Sequence, residues 1–236
     1  SVNFSPLGYS ITGASMNSSS SQGPTDDGRI KPDITGRGTN VNSCDPFSNP
    51  PYGLATGTSM AGPNVAGSLL LLQEHYRDLN PTYMRSSTLK ALACHTSTDD
   101  ADNPNVTSIT YPGPDPFWGW GLLNTEFAAQ TITDAQSGGT IIEENTLNNA
   151  QTYSFTVNVS NSEKLMATIC WTDPVASSRN SEAECTQAPV LINDLDLRIY
   201  DSSGLEYKPW KLDLTNLPNA IKGDNIVDNI ERVEVD

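Results

Sequence analysis

The sequence predicts two architectures in series: an α/β region followed by an all-β region of the sandwich or jelly-roll kind. Three observations carry this. Before residues 134–140, apolar stretches of helical length alternate with short strand-like pieces, the pattern of a largely parallel sheet. After that point come short alternating runs separated by polar turns. The 236 residues, 36% hydrophobic and 17% charged with 17 Gly and 16 Pro, suit one large or two ordinary globular domains. The junction Asp134-Ala135-Gln136-Ser137-Gly138-Gly139-Thr140 reads as a linker, dividing the chain into residues 1–136 and 137–236.

Within the first region, Gly38-Thr39-Asn40-Val41 reads as a strand. The stretch from Gly57 to about Tyr76 reads as a helix apolar nearly all round (Val65, Ala66, Leu69, Leu70, Leu71, Leu72), which predicts a buried one. Thr58 or Ser59 can cap its start, and Pro63 is tolerable because it sits in the opening turns. A second helix is predicted from about Pro81 to Cys94, with Met84, Leu89, Ala91 and Leu92 inward. A third, short helix covers about Thr125–Thr131. In the second region, strands are predicted at about Thr152–Val159, Leu165–Trp171, Asp194–Tyr200 and Ile226–Val235. Along the third of these, Leu195, Leu197 and Ile199 share one face and Asp194 and Asp196 the other.

Composition excludes several functions. With 13 Lys and Arg against 28 Asp and Glu, the formal charge is −15. Nucleic acid is not an expected partner, since phosphate binding needs a basic patch. Docking on an anionic membrane is disfavoured for the same reason. The run Leu69–Leu72 is too short to span a bilayer. The opening Ser1-Val2-Asn3-Phe4 has no basic or apolar leader character; if the protein is secreted, its export signal is expected to have been removed or to lie upstream. The acidic excess is −6 over residues 1–136 and −9 over residues 137–236. The four cysteines, Cys44, Cys94, Cys170 and Cys185, include no C-x-x-C pair, and no His/Cys cluster suggests zinc. Cys170 and Cys185 could close a Ser/Asn/Glu-rich loop as a disulfide; the alternative is two free, half-buried thiols. Sequons occur at Asn3, Asn17, Asn105 and Asn158.

The chemistry concentrates in Gly57-Thr58-Ser59-Met60-Ala61-Gly62-Pro63-Asn64-Val65-Ala66-Gly67. A serine lies between a tight glycine turn and the start of a helix. Its hydroxyl is backed by unspent N–H groups and the positive end of the helix dipole. Those are conditions for a nucleophile with an oxyanion-binding amide, although a Gly-Thr-Ser alone is also an ordinary helix cap.

The eleven-residue stretch resembles the nucleophile segment of subtilisin-like serine proteases, matching all nine positions that the family pattern specifies. Two further stretches agree in order. Ser20-Ser21-Gln22-Gly23-Pro24 through Lys31-Pro32-Asp33 resembles one family segment, and Trp118-Gly119-Trp120-Gly121-Leu122-Leu123-Asn124 resembles the closing one. The resemblance implies that Ser59 is the acylating nucleophile and that its backbone N–H, supported by Thr58, belongs to the oxyanion hole. It places Met60 beside the nucleophile, open to oxidation. Gly62 and Asn64 depart from commoner residues at positions that are not catalytic in the family.

In that family the chain order is Asp, His, Ser. Here both histidines, His75 and His95, follow Ser59. His75 is sixteen residues along the same predicted helix, about 24 Å away at 1.5 Å per residue. The resemblance therefore implies the C-terminal half of a catalytic domain, with the triad Asp and His and the oxyanion Asn on an upstream segment, and a chain inactive by itself.

Residues 140–236 resemble the C-terminal β-module of some secreted subtilisin-like proteases. The resemblance rests on Cys170-Trp171-Thr172-Asp173-Pro174, Val190 to Leu197, and Asp224 to Glu231. Such modules commonly bind calcium. Asp173, Asp194, Asp196, Asp224, Asn225 and Asp228 are hard oxygen donors of the kind calcium takes, the bland alternative being a solvated acidic face. Both ends of the chain look cut within a domain. The expectation is thus part of a secreted serine endopeptidase acting on protein or peptide substrates together with an upstream fragment. Two alternatives are a non-enzymatic relative keeping the fold as a scaffold, and a calcium-stabilised β-module for adhesion or substrate docking.

Overall fold

The structure is a computed structural model that describes residues 3–5, 8–10, 14–47, 49–99, 110–159, 164–176 and 188–235. Its elements run β1 (Asn3–Ser5), β2 (Gly8–Ser10), β3 (Val41–Cys44), β4 (Tyr52–Ala55), α1 (Thr58–Leu79), α2 (Ser86–His95), α3 (Thr125–Ala135), β5 (Leu165–Cys170), β6 (Ile199–Tyr200), β7 (Glu206–Tyr207), β8 (Trp210–Leu212), β9 (Ala220–Lys222) and β10 (Ile230–Val235). The mixed helix and strand content is that of an α/β region followed by strands.

The sheets differ from the expectation. Among the described residues the strands pair two by two and antiparallel, as β1–β2, β3–β4, β5–β10, β6–β7 and β8–β9. The parallel contact is a single bridge, Thr35 to Leu122. Among the described residues, the predicted strand at 152–159 belongs to no sheet, and that at 194–200 is reduced to Ile199–Tyr200. Alternation marks a segment able to be a strand; a ladder also needs a neighbour with free N–H and C=O groups. The longest pairing is β5 with β10, in register from Leu165↔Val235 to Cys170↔Ile230.

α1, predicted as buried, is buried on one stripe. Leu72 packs with Met84, Leu92, Ala128 and Ile132, flanked by Leu69 and Tyr76. On the opposite side Leu70 and Leu71 are 70% and 60% exposed. α2 and α3 cover a single side of α1, so its apolar circumference exceeds the surface available to bury it. α2 starts at Ser86 rather than Pro81, because Gln73 clasps Met84: its Oε1 accepts from Met84 N and its Nε2 donates to Met84 O, both at 3.0 Å. That fixes 81–85 as a non-helical crossing. α3 extends to Ala135, and the Asn124 side chain caps it by accepting from Phe127 N at 2.9 Å.

A second core joins residues from both sides of the 136/137 junction. Ile30, Cys94 and Trp120 pack with Leu212 and Ile230. Polar bonds follow the same seam. Asp228 accepts from Ile30 N at 3.0 Å, and Arg232 Nη1 donates to Cys94 O at 3.0 Å. The Arg232 guanidinium also sits 4.8 Å from the Trp120 ring centre. β5 and β10 therefore dock on the end of α2.

Cys170 ends β5 as a free thiol packed on this core, and Cys185, the other half of the candidate disulfide, lies outside the described residues. The strand pairing points Cys170 inward. Burial pushes its thiol up to about 11 and that of Cys94 up to about 12, so both stay protonated.

Candidate active site

The turn before α1 is built from backbone. Gly57 has φ 155° and ψ 169°, a region open essentially to glycine. A Cβ there would touch nothing nearer than 3.9 Å, so the torsions and not crowding require glycine. Gly57 N donates to Gly38 O at 2.8 Å, tying the turn to the chain ahead of β3. The first helical bonds run from Met60 N and Ala61 N to Gly57 O, at 3.0 and 3.3 Å. The amides of Thr58 and Ser59 thus precede the ladder, where a helix presents N–H groups outward. The expected side-chain cap from Thr58 or Ser59 is not made: the cap residue is Gly57, without a side-chain bond. Both hydroxyls remain outside the capping role, and both residues are exposed. An exposed hydroxyl next to outward amides at a helix start can attack a carbonyl and hold the resulting oxyanion, given a base.

The two segments that accompany the nucleophile stretch in sequence meet in space. Trp120 N donates to Asp33 O at 3.0 Å, and Thr35 N and Leu123 N exchange bonds at 2.9 Å with Gly121 O and Thr35 O. Gly119, at φ 66°, lies where a Cβ would fall 2.2 Å from Pro32 O. Asp33 accepts from Lys31 at 2.6 Å and is paired with Lys90 at 2.7 Å. Burial would raise its carboxyl, but bonds and charge from Lys31 and Lys90 carry it below the ordinary range. This pairing anchors the platform behind α1 to α2.

Neither histidine serves Ser59. His75 Nε2 bonds Thr133 Oγ1 at 2.9 Å, far along α1. His95 Nδ1 bonds Thr168 Oγ1 at 2.9 Å in the seam with β5. Burial and the neighbouring Arg232 push His95 down to about 4, so it is neutral at physiological pH.

The six expected calcium ligands go to three places. Asp173 is occupied by a turn, accepting from Ile192 N at 2.7 Å and Asn193 N at 2.9 Å. Asn225 and Asp228 are buried in the seam; the Asn225 amide donates to Asp228 at 3.0 Å, and burial pushes Asp228 up to about 6. Asp194, Asp196 and Asp224 remain together around Arg198, which bonds Asp196 at 2.7 Å and also Asp224. Burial, then the charges of Asp196 and Asp224, raises Asp194. Among the described residues, no three His, Cys, Asp or Glu side chains are close enough together to hold a metal.

Glu231 belongs to this cluster and was not among the expected ligands. It is fully buried on β10, its Oε2 accepts from Leu197 N at 2.6 Å, and its Oε1 has no hydrogen-bond partner. Burial pushes it up to about 8. Spacing puts Glu231 and Glu234 on opposite faces of the same strand but does not say which face is buried. Pairing β10 with the Asp194–Leu197 segment is what would have found it.

Residues 8–121 match the model of the Subtilase family. The chain is 40% identical over 78 residues to the C5a peptidase of Streptococcus pyogenes, which is 33% of this chain and 6% of that protein. It is likewise 40% identical over 75 residues to the C5a peptidase of Streptococcus pyogenes serotype M18, 30% of this chain and 6% of that protein. The matched stretch thus spans a small fraction of the relatives' own length. These matches support a subtilisin-like serine protease part in this chain. Among the described residues, no helix is long and apolar enough to cross a membrane.

Proposed function

Starting from residues 8–121 as a subtilase-type segment, we propose that this chain carries the nucleophile of a secreted serine endopeptidase acting on protein or peptide substrates. Ser59 Oγ attacks the scissile carbonyl, forming an acyl-enzyme that water then hydrolyses. The Ser59 amide, with support from Thr58, receives the oxyanion. The observation that carries the reading is the Gly57 turn, which presents an uncapped serine and the unspent first-turn amides together.

The general base and its orienting carboxylate come from a segment outside these residues. His75 and His95 are both committed elsewhere. The exposed face of α1, with Gly62, Leu70 and Leu71 continuing from Ser59, is where that segment lies. The 236-residue chain alone is then inactive. A fluorophosphonate probe tests this, read by intact mass on the chain and on a longer product of the same gene. Labelling is expected on the longer product and lost in Ser59→Ala, with none on the chain alone. Labelling of the isolated chain at Ser59 would show that the base lies within it.

We propose further that residues 137–236 form a β-sandwich module stabilised by calcium. Asp194, Asp196 and Asp224, with Glu231 beside them, are the candidates to hold the ion, but as they lie around Arg198 no three of them are close enough together and their side chains would have to close on it. The unpartnered, buried Oε1 of Glu231 and the raised Asp194 support it. Asp173, Asn225 and Asp228 are already spent on backbone and seam. Calcium is expected to raise the melting temperature of the chain and to leave Glu231→Gln nearly unmoved; equal responses would remove the site.

A further inference from the structure

The seam between α2 and β5 holds two thiols, Cys94 and Cys170, that the proposed chemistry at Ser59 does not use. Cys94 is 2% exposed within the second core, and Cys170 packs against that same core. Their neighbours bring the two positions to one face. Along β5, Thr168 and Cys170 are two residues apart and so point the same way. Thr168 Oγ1 bonds the ring of His95, the residue after Cys94. On β10, Arg232 is the register partner of Thr168 and donates to Cys94 O at 3.0 Å. Ile230, the register partner of Cys170, shares one core with Cys94. Cys170 therefore lies on the side of the β5–β10 pair that covers the end of α2. Burial would lower the Lys90 ammonium and Asp33 raises it, while Cys170 and Cys94 are both near enough to act on that same group. Cys94 Sγ makes a long, weak contact with Asp33 O at 3.9 Å, which a covalent bond could replace at little loss.

We propose that Cys94 and Cys170 form a disulfide that locks β5 onto α2, across the junction at residues 136 and 137. The oxidant is a low-molecular-weight disulfide. The thiolate of one cysteine attacks it, releasing one small thiol and leaving a mixed disulfide on the protein. The second cysteine thiolate attacks the protein sulfur of that intermediate, releases the other small thiol and closes the bond. Two protein thiols give up two protons and two electrons, and the small disulfide becomes two thiols. In the closed seam both sulfurs stay protonated, so exchange is slow there and the bond forms while β5 is still docking. The inference is independent of the Ser59 chemistry and needs an oxidising compartment.

Trypsin separates the candidate cysteines: Cys94 falls in residues 91–164, Cys170 in 165–179 and Cys185 in 180–198. The full 236-residue chain is refolded in a buffer of reduced and oxidised glutathione. Its remaining thiols are blocked with iodoacetamide, and the unreduced digest is mapped by mass spectrometry. The expected product is 91–164 linked to 165–179. Dithiothreitol should then lower the melting temperature by roughly 8–16 °C, because the bond closes a long loop, and should leave Cys170→Ala unmoved. The map is read on the parent chain, so it stands even if Cys170→Ala misfolds. A link from 165–179 to 180–198 overturns the proposal, as does alkylation of both Cys94 and Cys170. A melting temperature indifferent to reductant in the linked chain overturns the lock.

Discussion

Gly57 and Gly119 hold the platform of Ser59 through backbone torsions and close contacts, with φ of 155° and 66°. The cluster around Arg198 is held by charge: Asp194, Asp196, Asp224 and a buried Glu231 against one guanidinium. The two regions should therefore fail for different causes. Steric change breaks the first, where pH acts through the Asp33 carboxylate held by Lys31 and Lys90. Proton and ion concentrations govern the second, where a mutation that removes charge can be harmless or even stabilising. The Gly57 turn keeps its geometry without a titrating group, which suits the proposed supply of a base from another segment.

The largest effect is expected on the steric side. In Gly119→Ala a Cβ would meet Pro32 O at 2.2 Å while φ stays at 66°. Left-handed strain and backbone overlap together should cost on the order of 3 kcal/mol or more. A drop of roughly 6–12 °C in thermal unfolding would report it. A smaller loss would mean that the Lys31-Pro32-Asp33 stretch can move away from Trp120. Next is Arg232→Ala in the seam. It removes the bond to Cys94 O, the contact with Trp120 and the 2.8 Å ion pair with Glu234. The expected loss is about 3 kcal/mol, since the chain keeps a largely buried Glu234 without its closest partner. If unfolding then splits into two transitions, the parts on either side of residue 136 fold separately once the seam is opened.

The charge-held region should show its nature in pH. Burial lifts Glu231 from an ordinary 4.5 to about 8, so between those values the folded chain keeps a proton that the unfolded chain releases. Stability therefore falls as pH rises through that window. Asp228 acts in the same direction at lower pH, from 3.8 to about 6. His95 acts oppositely: with its ring lowered from 6.5 to about 4, stability falls as pH drops through that range. Glu231→Gln should match the parent chain near pH 5 and exceed it at pH 8 by on the order of 2 kcal/mol. A parallel pH curve for parent and variant would show that Glu231 ionises without cost.

The parts of the molecule legible in sequence are those whose signal is contiguous. The glycine turn that opens α1 was readable because nine specified positions sit within eleven residues. α1 and α3 were readable because periodicity runs unbroken through them, although α1 has more apolar surface than its neighbours cover. The start of α2 was not, since the Gln73–Met84 clasp joins residues eleven apart through side-chain bonds. Alternation over 152–159 marked a segment able to be a strand and said nothing of a partner, and among the described residues it joins no sheet. Glu231 escaped because its burial depends on Leu197, thirty-four residues away. The acidic residues were legible as a set, but which of them are spent on turns and on the seam was decided by tertiary packing.

The smallest predicted effect has the sharpest use. Gly67 lies inside α1, and a Cβ added there meets nothing within 4 Å. Gly67→Ala should stabilise the isolated chain by up to about 1 kcal/mol through helix propensity, a gain of roughly 2–4 °C. The same face, continued by the exposed Leu70 and Leu71, is proposed to lie under the segment that brings the general base to Ser59. There the added methyl would be crowded. In a longer product of the gene the substitution should lower the melting temperature and the rate of fluorophosphonate labelling together. Opposite signs in the two contexts would locate the missing half of the site on α1. A gain in both would leave this face open, and the base would have to approach Ser59 from the side of β3 and β4.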